Sequence, residues 1–234
     1  TYDVDGGTAS ANAVVGSQGT QSSTTTFSFA SFSALTLSSS SVRWSWSPVA
    51  GAVNYQVFSS PGDVAQSGLL GAGLTTFDED DLSGNTSYTR YVRATGCGGQ
   101  GDSATASTTT LTRPPTALAQ SFPNGVFHTS MTVAWAAMGA GEAGGYVLQA
   151  SSVADFTGTV HSSQTLVLAA STLTLNGAPL WANTTYYLRV YGLNVNLASG
   201  PVTALGSTST LANPPATLGT TFLSVFASSA TAAW

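Results

Sequence analysis

Apolar residues in this chain recur at every second position over short stretches, and no stretch shows a capped, amphipathic helical pattern. In Val42-Arg43-Trp44-Ser45-Trp46 the even positions are apolar, and Met131-Thr132-Val133-Ala134-Trp135 repeats that alternation. A period of two puts alternate side chains on one face, so each segment predicts a strand with one face in a core. Val53-Asn54-Tyr55-Gln56-Val57 and Tyr146-Val147-Leu148-Gln149 follow as the next strands. The connections between them, Ser47 to Ala52 and Met138 to Gly145, are rich in Gly, Ala or Pro, as hairpin connections are. The pattern predicts an all-β protein.

The chain also repeats itself. Leu111-Thr112-Arg113-Pro114-Pro115-Thr116-Ala117-Leu118 returns as Leu211-Ala212-Asn213-Pro214-Pro215-Ala216-Thr217-Leu218, an offset of 100 residues (211 − 111). The match continues through Phe122/Phe222 and, across a gap of one residue, Val126-Phe127/Val225-Phe226 to Trp135/Trp234. A repeat of this length implies one structural module used several times. Leu82-Ser83-Gly84-Asn85-Thr86-Ser87-Tyr88 aligns without gaps on Leu180-Trp181-Ala182-Asn183-Thr184-Thr185-Tyr186, and Val92 or Val190 follows four residues after each Tyr. A Leu six residues before a Tyr, across an Asn-Thr turn, is the pattern of a tyrosine corner. There the ring packs inward and its hydroxyl bonds to upstream backbone, fixing how one strand crosses to the opposite sheet.

With Trp46 and Trp135 on the second strands, Tyr55 and Tyr146 on the third and the Pro-Pro lead-in, the pattern resembles the fibronectin type III domain. The resemblance covers residues 28–112 and 113–211, although module 1 lacks the Pro-Pro pair. It implies tandem seven-stranded antiparallel β-sandwiches, used mostly as spacer, adhesive or scaffold. Residues 1–27 are assigned to an N-terminal arm or the last strand of a preceding module, because Ser23-Thr24-Thr25-Thr26-Phe27 resembles Ser107-Thr108-Thr109-Thr110-Leu111. Residues 212–234 read as the first two strands of an incomplete third module.

Charge narrows the function. Only 6% of residues are Asp, Glu, Lys or Arg, against roughly 25% in an ordinary soluble domain. Lysine is absent, and the five cations are Arg43, Arg90, Arg93, Arg113 and Arg189 against ten acids. No basic stripe exists to neutralise phosphates or anionic lipid, so no nucleic-acid partner is expected. No apolar run reaches the roughly 18 to 20 residues of a span, so no membrane insertion is expected either. Ser, Thr, Gly and Asn carry solubility instead. That suits a surface coated with sugar, packed against copies of itself or exposed to proteases; drift in a low-lysine secreted proteome is the bland alternative. No signal peptide begins at Thr1, and the chain reads as a mature product or an excerpt. The single Cys97 cannot form an internal disulfide, and is expected to be inert rather than an intermolecular bridge. The expected location is extracellular or at the cell surface.

Catalytic chemistry finds little to work with, and no enzyme, cofactor or metal is expected. His128 and His161 lie in no recognisable nucleophile or metal motif. Asp78-Glu79-Asp80-Asp81 could offer calcium its carboxylates, as could Asp3 and Asp5, but neither follows calcium-loop spacing, and a solvated turn is the expected form of the acidic run. Asn85-Thr86-Ser87 and Asn183-Thr184-Thr185 are formal N-glycosylation sequons at a turn where Asn is wanted for backbone reasons. Gln100-Gly101-Asp102-Ser103 sits where some fibronectin modules carry an integrin-binding tripeptide, but its Arg is missing.

These readings converge on an extracellular structural protein, a filament or surface-layer subunit whose partners are copies of itself joined head to tail. The expected assembly residues are Leu218, Phe222, Val225, Phe226 and Trp234, apolar positions on a hairpin that cannot bury them alone. The alternative is an accessory adhesive or carbohydrate-binding region of a larger secreted enzyme or adhesin, with glycans as partner. Exposed aromatics would favour the alternative, and Trp44 and Trp181 are the ones that differ between modules.

A protease experiment checks the strand placement. Arg113, in the linker, precedes Pro114, which blocks tryptic cleavage, and the other four arginines fall within predicted strands. Nicking concentrates in exposed, mobile segments, so native protein should survive trypsin nearly intact on a denaturing gel. Rapid release of two module-sized fragments would contradict the placement.

Overall fold

The computed structural model describes residues 27–119, 121–122, 125–176, 180–216 and 222–232, with Phe222 described by its backbone alone. Among them there is no helix. Module 1 consists of β1 (Phe32–Thr36), β2 (Val42–Trp46), β3 (Asn54–Ser59), β4 (Leu70–Gly71), β5 (Thr76–Glu79), β6 (Ser87–Gly96), β7 (Gly99–Asp102) and β8 (Ala106–Thr109). Module 2 consists of β9 (Thr116–Ala117), β10 (Met131–Ala136), β11 (Gly145–Ser151), β12 (Val160–Thr165), β13 (Thr172–Leu175), β14 (Thr185–Leu193) and β15 (Ser199–Ser209). A separate hairpin pairs β16 (Phe222–Val225) with β17 (Ala230–Ala232).

Each module has two antiparallel sheets. In module 1 these are β1-β2-β5 and β4-β3-β6, the latter closed by β7 and β8, which pair in turn with β6 as two halves of one edge strand. Module 2 has β13-β10-β9 and β12-β11-β14-β15. Counting β7 and β8 as one strand, each sandwich has seven, as the resemblance implied. The module 2 edge strand runs unbroken because a bulge beside Gly206, at φ 89°, absorbs the irregularity.

The alternation seen in the sequence is the cause of the layering. Val42, Trp44 and Trp46 are buried while Arg43 is exposed. Tyr55, Val57, Val92 and Ala94 close the module 1 core from the other sheet. In module 2, Met131, Val133 and Trp135 face Tyr146, Leu148, Tyr186, Leu188 and Val190. Trp46 packs against Tyr55 at 5.5 Å between ring centroids, and Trp135 against Tyr146 at 5.4 Å. The core of the first sandwich also takes in Phe27, one residue before the start assigned from sequence.

Both tyrosine corners form. The Ser83 N–H donates to the Tyr88 hydroxyl at 2.8 Å, and the Trp181 N–H to the Tyr186 hydroxyl at 2.9 Å. The acidic run behaves differently from the solvated turn expected of it, because β5 carries its first half into the sheet. Asp78 pairs with Arg43 on the surface. Glu79 turns inward, where its Oε2 accepts from Trp44 Nε1 at 2.8 Å and its Oε1 from Arg90 Nη2 at 2.6 Å. Both side chains of that ion pair are buried. Asp80 and Asp81 alone remain in an exposed turn.

Two kinds of polar contact can therefore be compared by chemical denaturation. Tyr88→Phe and Tyr186→Phe should each cost about 0.5 to 1.5 kcal/mol, the usual net worth of one hydrogen bond. Glu79→Ala should cost about 3 to 5 kcal/mol, because it leaves Arg90 charged and buried without its partner. A Glu79→Ala midpoint no lower than that of Tyr88→Phe would show that Arg90 reaches water.

Candidate interaction surfaces

The turn that precedes each long central strand shapes one end of its module. In module 1 the Asn85 N–H donates to Leu111 O at 3.0 Å, the Thr86 N–H to Thr110 Oγ1 at 3.1 Å, and Thr110 Oγ1 donates to Ser83 O at 2.7 Å. Module 2 repeats this bond for bond. The Asn183 N–H donates to Leu211 O at 3.0 Å, the Thr184 N–H to Thr210 Oγ1 at 3.0 Å, and Thr210 Oγ1 to Trp181 O at 2.6 Å. Asn85 and Asn183 take the left-handed conformation at φ 50° and 51°, which Asn tolerates better than other side-chain-bearing residues. The turn thereby projects the Asn amide outward from the end of the sandwich.

At the end of module 1 that amide is the centre of a joint. Asn85 is 8% exposed. Its Nδ2 donates to Gly141 O at 2.7 Å, and its Oδ1 accepts from the Val195 N–H at 2.8 Å, so one side chain ties both near loops of module 2. Module 2 answers with buried Asn194, whose Nδ2 donates to Thr110 O at 3.2 Å. Asn194 Oδ1 meanwhile accepts from the N–H groups of Asn196 and Ala198, both at 2.9 Å, which fixes the loop that presents Val195. Asn196 Nδ2 completes the contact by donating to Thr109 Oγ1 at 3.1 Å. The linker itself enters through a notch made by glycines. A Cβ on Gly192 would lie 2.7 Å from Thr112 Oγ1, and one on Gly200 closer still, so fully buried Thr112 fits there only because both side chains are missing. Gly96 and Gly101 form a matching notch in module 1, filled by Phe27.

A cavity of about 250 Å³ remains beside the joint, lined by Ser83, Gly84, Thr86, Arg113, Gly141 and Glu142. At the corresponding end of module 2, Asn183 is exposed and Trp181, the counterpart of Ser83, is 74% exposed. Leu211 stands 55% exposed beside them.

By strand count, sheet pairing and corner geometry, both modules are fibronectin type III-like sandwiches. No family model matches the chain, and no curated protein matches it either. Solved structures are similar in fold. A segment of two fibronectin type III domains from chicken tenascin is 16% identical, with 78% of this chain and 99% of that one covered, at a TM-score of 0.45. The chicken CNTN1 FN1-FN3 domains are 18% identical over 78% of this chain, at a TM-score of 0.42. The match spans 64% of the length of that CNTN1 segment. The single-domain FN3tt is 23% identical, with 37% of this chain and 97% of that one covered, at a TM-score of 0.33.

The other residues singled out in the sequence are scattered. Trp44 is fully buried, stacked on Phe32 and bonded to Glu79, so it offers no sugar-binding face. His128 is exposed, and His161 lies edge-on to Tyr186 at 5.7 Å. Among the described residues no group of three or more His, Cys, Asp or Glu side chains could hold a metal. Cys97 is a free, exposed thiol. The Arg43 hydrogen bond holds the Asp78 carboxyl below the ordinary carboxylate range, and the same contact raises the Arg43 guanidinium. Of the assembly residues, Val225 and Phe226 are exposed, Phe222 opens β16, and Leu218 and Trp234 lie outside the described residues. The sequence points to Asn85 only as a turn residue, and the part that Asn85, Asn194 and Thr112 play in the joint is not legible in it. The available signal was Asn194-Val195-Asn196, an Asn-rich loop where module 1 has only glycines and Cys97.

Asn85→Gly separates the joint from the turn, because Gly keeps the positive φ and removes only the amide. Gly141 O and the Val195 N–H then lose their partners, at about 0.5 to 1.5 kcal/mol for each bond, since both residues are exposed and water can take the place of the amide. Small-angle scattering should show the two modules changing from a fixed to a variable separation. An unchanged scattering curve would show that the amide does not hold the joint.

Proposed function

We propose that this chain is an extracellular or cell-surface structural protein, a subunit or segment of a filament or surface layer with no catalytic role. The observation that carries the reading is the joint: Asn85, buried between the two modules, bonds both near loops of the second. A chain that fixes sandwich against sandwich in this way acts as a stiff spacer. The few charges fit the same role, since faces packed on their own kind must avoid both repulsion and the desolvation of unpaired ions.

Copies join head to tail through residues 212–234. The hairpin of β16 and β17 exposes Leu223, Val225 and Phe226, and burying each such side chain is worth roughly 1.5 to 3 kcal/mol. An open apolar hairpin is a template for pairing, and β-strand addition to a neighbouring copy, through the residues before its Phe27, supplies the partner. Contacts of this heterologous kind extend into helical filaments when the rotation does not close. A second reading, an adhesive or carbohydrate-binding region of a larger secreted protein, is favoured by Trp181, which lies between two shallow hollows. Retention on an insoluble polysaccharide that is lost in Trp181→Ala would select it.

Negative-stain electron microscopy of the purified chain separates the two readings. Regular polymers that disappear when residues 212–234 are removed are the expected result. Dispersed particles at every concentration would exclude the filament.

A further inference from the structure

The end of module 2 that carries Asn183 reproduces, in local structure, the end of module 1 that carries Asn85. Positive φ, the backbone bond from Asn to the Leu carbonyl, and the Thr hydroxyl that ties the turn to the last strand are the same in both. The difference is outside the turn. At Asn85 the amide is covered by the loops of module 2, whereas Asn183, Trp181 and Leu211 stand open together. The chain leaves this open end through Leu211-Ala212-Asn213-Pro214-Pro215, the counterpart of the linker Leu111-Thr112-Arg113-Pro114-Pro115 that seats module 2 on module 1. It then begins the hairpin of β16 and β17.

We propose that this end is a second joint, and that its occupant is the near end of a following module of the same repeat, built on the β16–β17 hairpin. Asn183 supplies the paired donor and acceptor, Nδ2 to a turn carbonyl and Oδ1 to a loop N–H, as Asn85 does with Gly141 and Val195. Trp181 supplies what the first joint lacks. Its counterpart Ser83 lines a cavity of about 250 Å³ against Gly141 and Glu142, and an indole at that position extends into this space. Exposed Trp at a pole is therefore a packing group awaiting the next module, and the second joint is drier than the first. Burial of a ring of this size, with Leu211 beside it, favours a closed joint.

The inference deepens the array reading of the proposed function, because it names the partner of one pole. It is tested in the full chain with residues 112–211 inserted once more between Leu211 and Ala212. The Asn183 of the first copy then faces the same near end that Asn85 meets, and Trp181 of the last copy is replaced by Phe. The probe is acrylamide quenching of the remaining Trp181, alongside small-angle scattering. The expected result is loss of the Trp181 contribution to quenching relative to the parent chain, with all three modules scattering as one extended body. Asn183→Gly in the first copy, which keeps the turn, should restore both quenching and a variable separation. Undiminished quenching in the inserted chain, or a last module that tumbles freely, would overturn the proposal. Absence of polymers from the parent chain in the microscope would instead remove only the head-to-tail filament, since the inserted chain reads the joint within one molecule.

Discussion

The turn between Leu82 and Tyr88, and its copy between Leu180 and Tyr186, carries both the internal order of each sandwich and its outward contact. Inside the module, the tyrosine hydroxyl accepts from the backbone at the start of the turn, so the strand that follows must cross to the opposite sheet at a fixed place. At its far side, Thr110 or Thr210 ties the turn to the last strand through one hydroxyl that accepts a backbone N–H and donates to a carbonyl. Each bond is worth about 1 kcal/mol by itself. Together they leave the intervening Asn one backbone conformation and one direction for its amide. The joint between modules is thus a consequence of how each module closes on itself.

This arrangement explains how a chain so poor in charge can still make a polar interface. The joint uses amides and hydroxyls in place of ions, and Asn suits it because one side chain can donate and accept at once. Neutral groups carry a smaller desolvation penalty than an ion pair, and the backbone groups facing them are satisfied in the same step. The glycine notch adds shape to this chemistry. Thr112 occupies it although its hydroxyl finds no partner among the described residues, so close fit outweighs one unmet polar atom at that point. The one buried ion pair among the described residues, Glu79 with Arg90, lies elsewhere, inside module 1 and bonded also to Trp44.

Much of the fold was legible because it is written in local periodicity. Alternation in Val42 to Trp46 and Met131 to Trp135 marked the strands, and the Leu-to-Tyr spacing marked the corners. What escaped depends on partners distant in sequence. Asn85 was attributed to the backbone of its turn, which is half of its role; the other half lies with Gly141 and Val195, on loops of another module. Four adjacent acids suggest water, yet strand alternation sends Asp78 and Glu79 to opposite faces. Trp44 and Trp181 were equal candidates for exposed aromatics in the sequence. Only their place in the fold distinguishes them, Trp44 on a central strand and Trp181 on a loop before one.

The two sequons show most plainly that the surroundings of a turn decide what turns of the same backbone conformation do. Asn85 and Asn183 share backbone conformation, flanking threonine and hydrogen-bonded frame. A glycan would attach at Nδ2, and at Asn85 that nitrogen donates to Gly141 O from a nearly closed interface. Joint and glycan therefore exclude each other sterically, since the buried amide leaves no room for a sugar. Asn183 has the same atom in the open. At Asn85 the joint uses both ends of the amide, which accounts for an Asn in that turn without any modification.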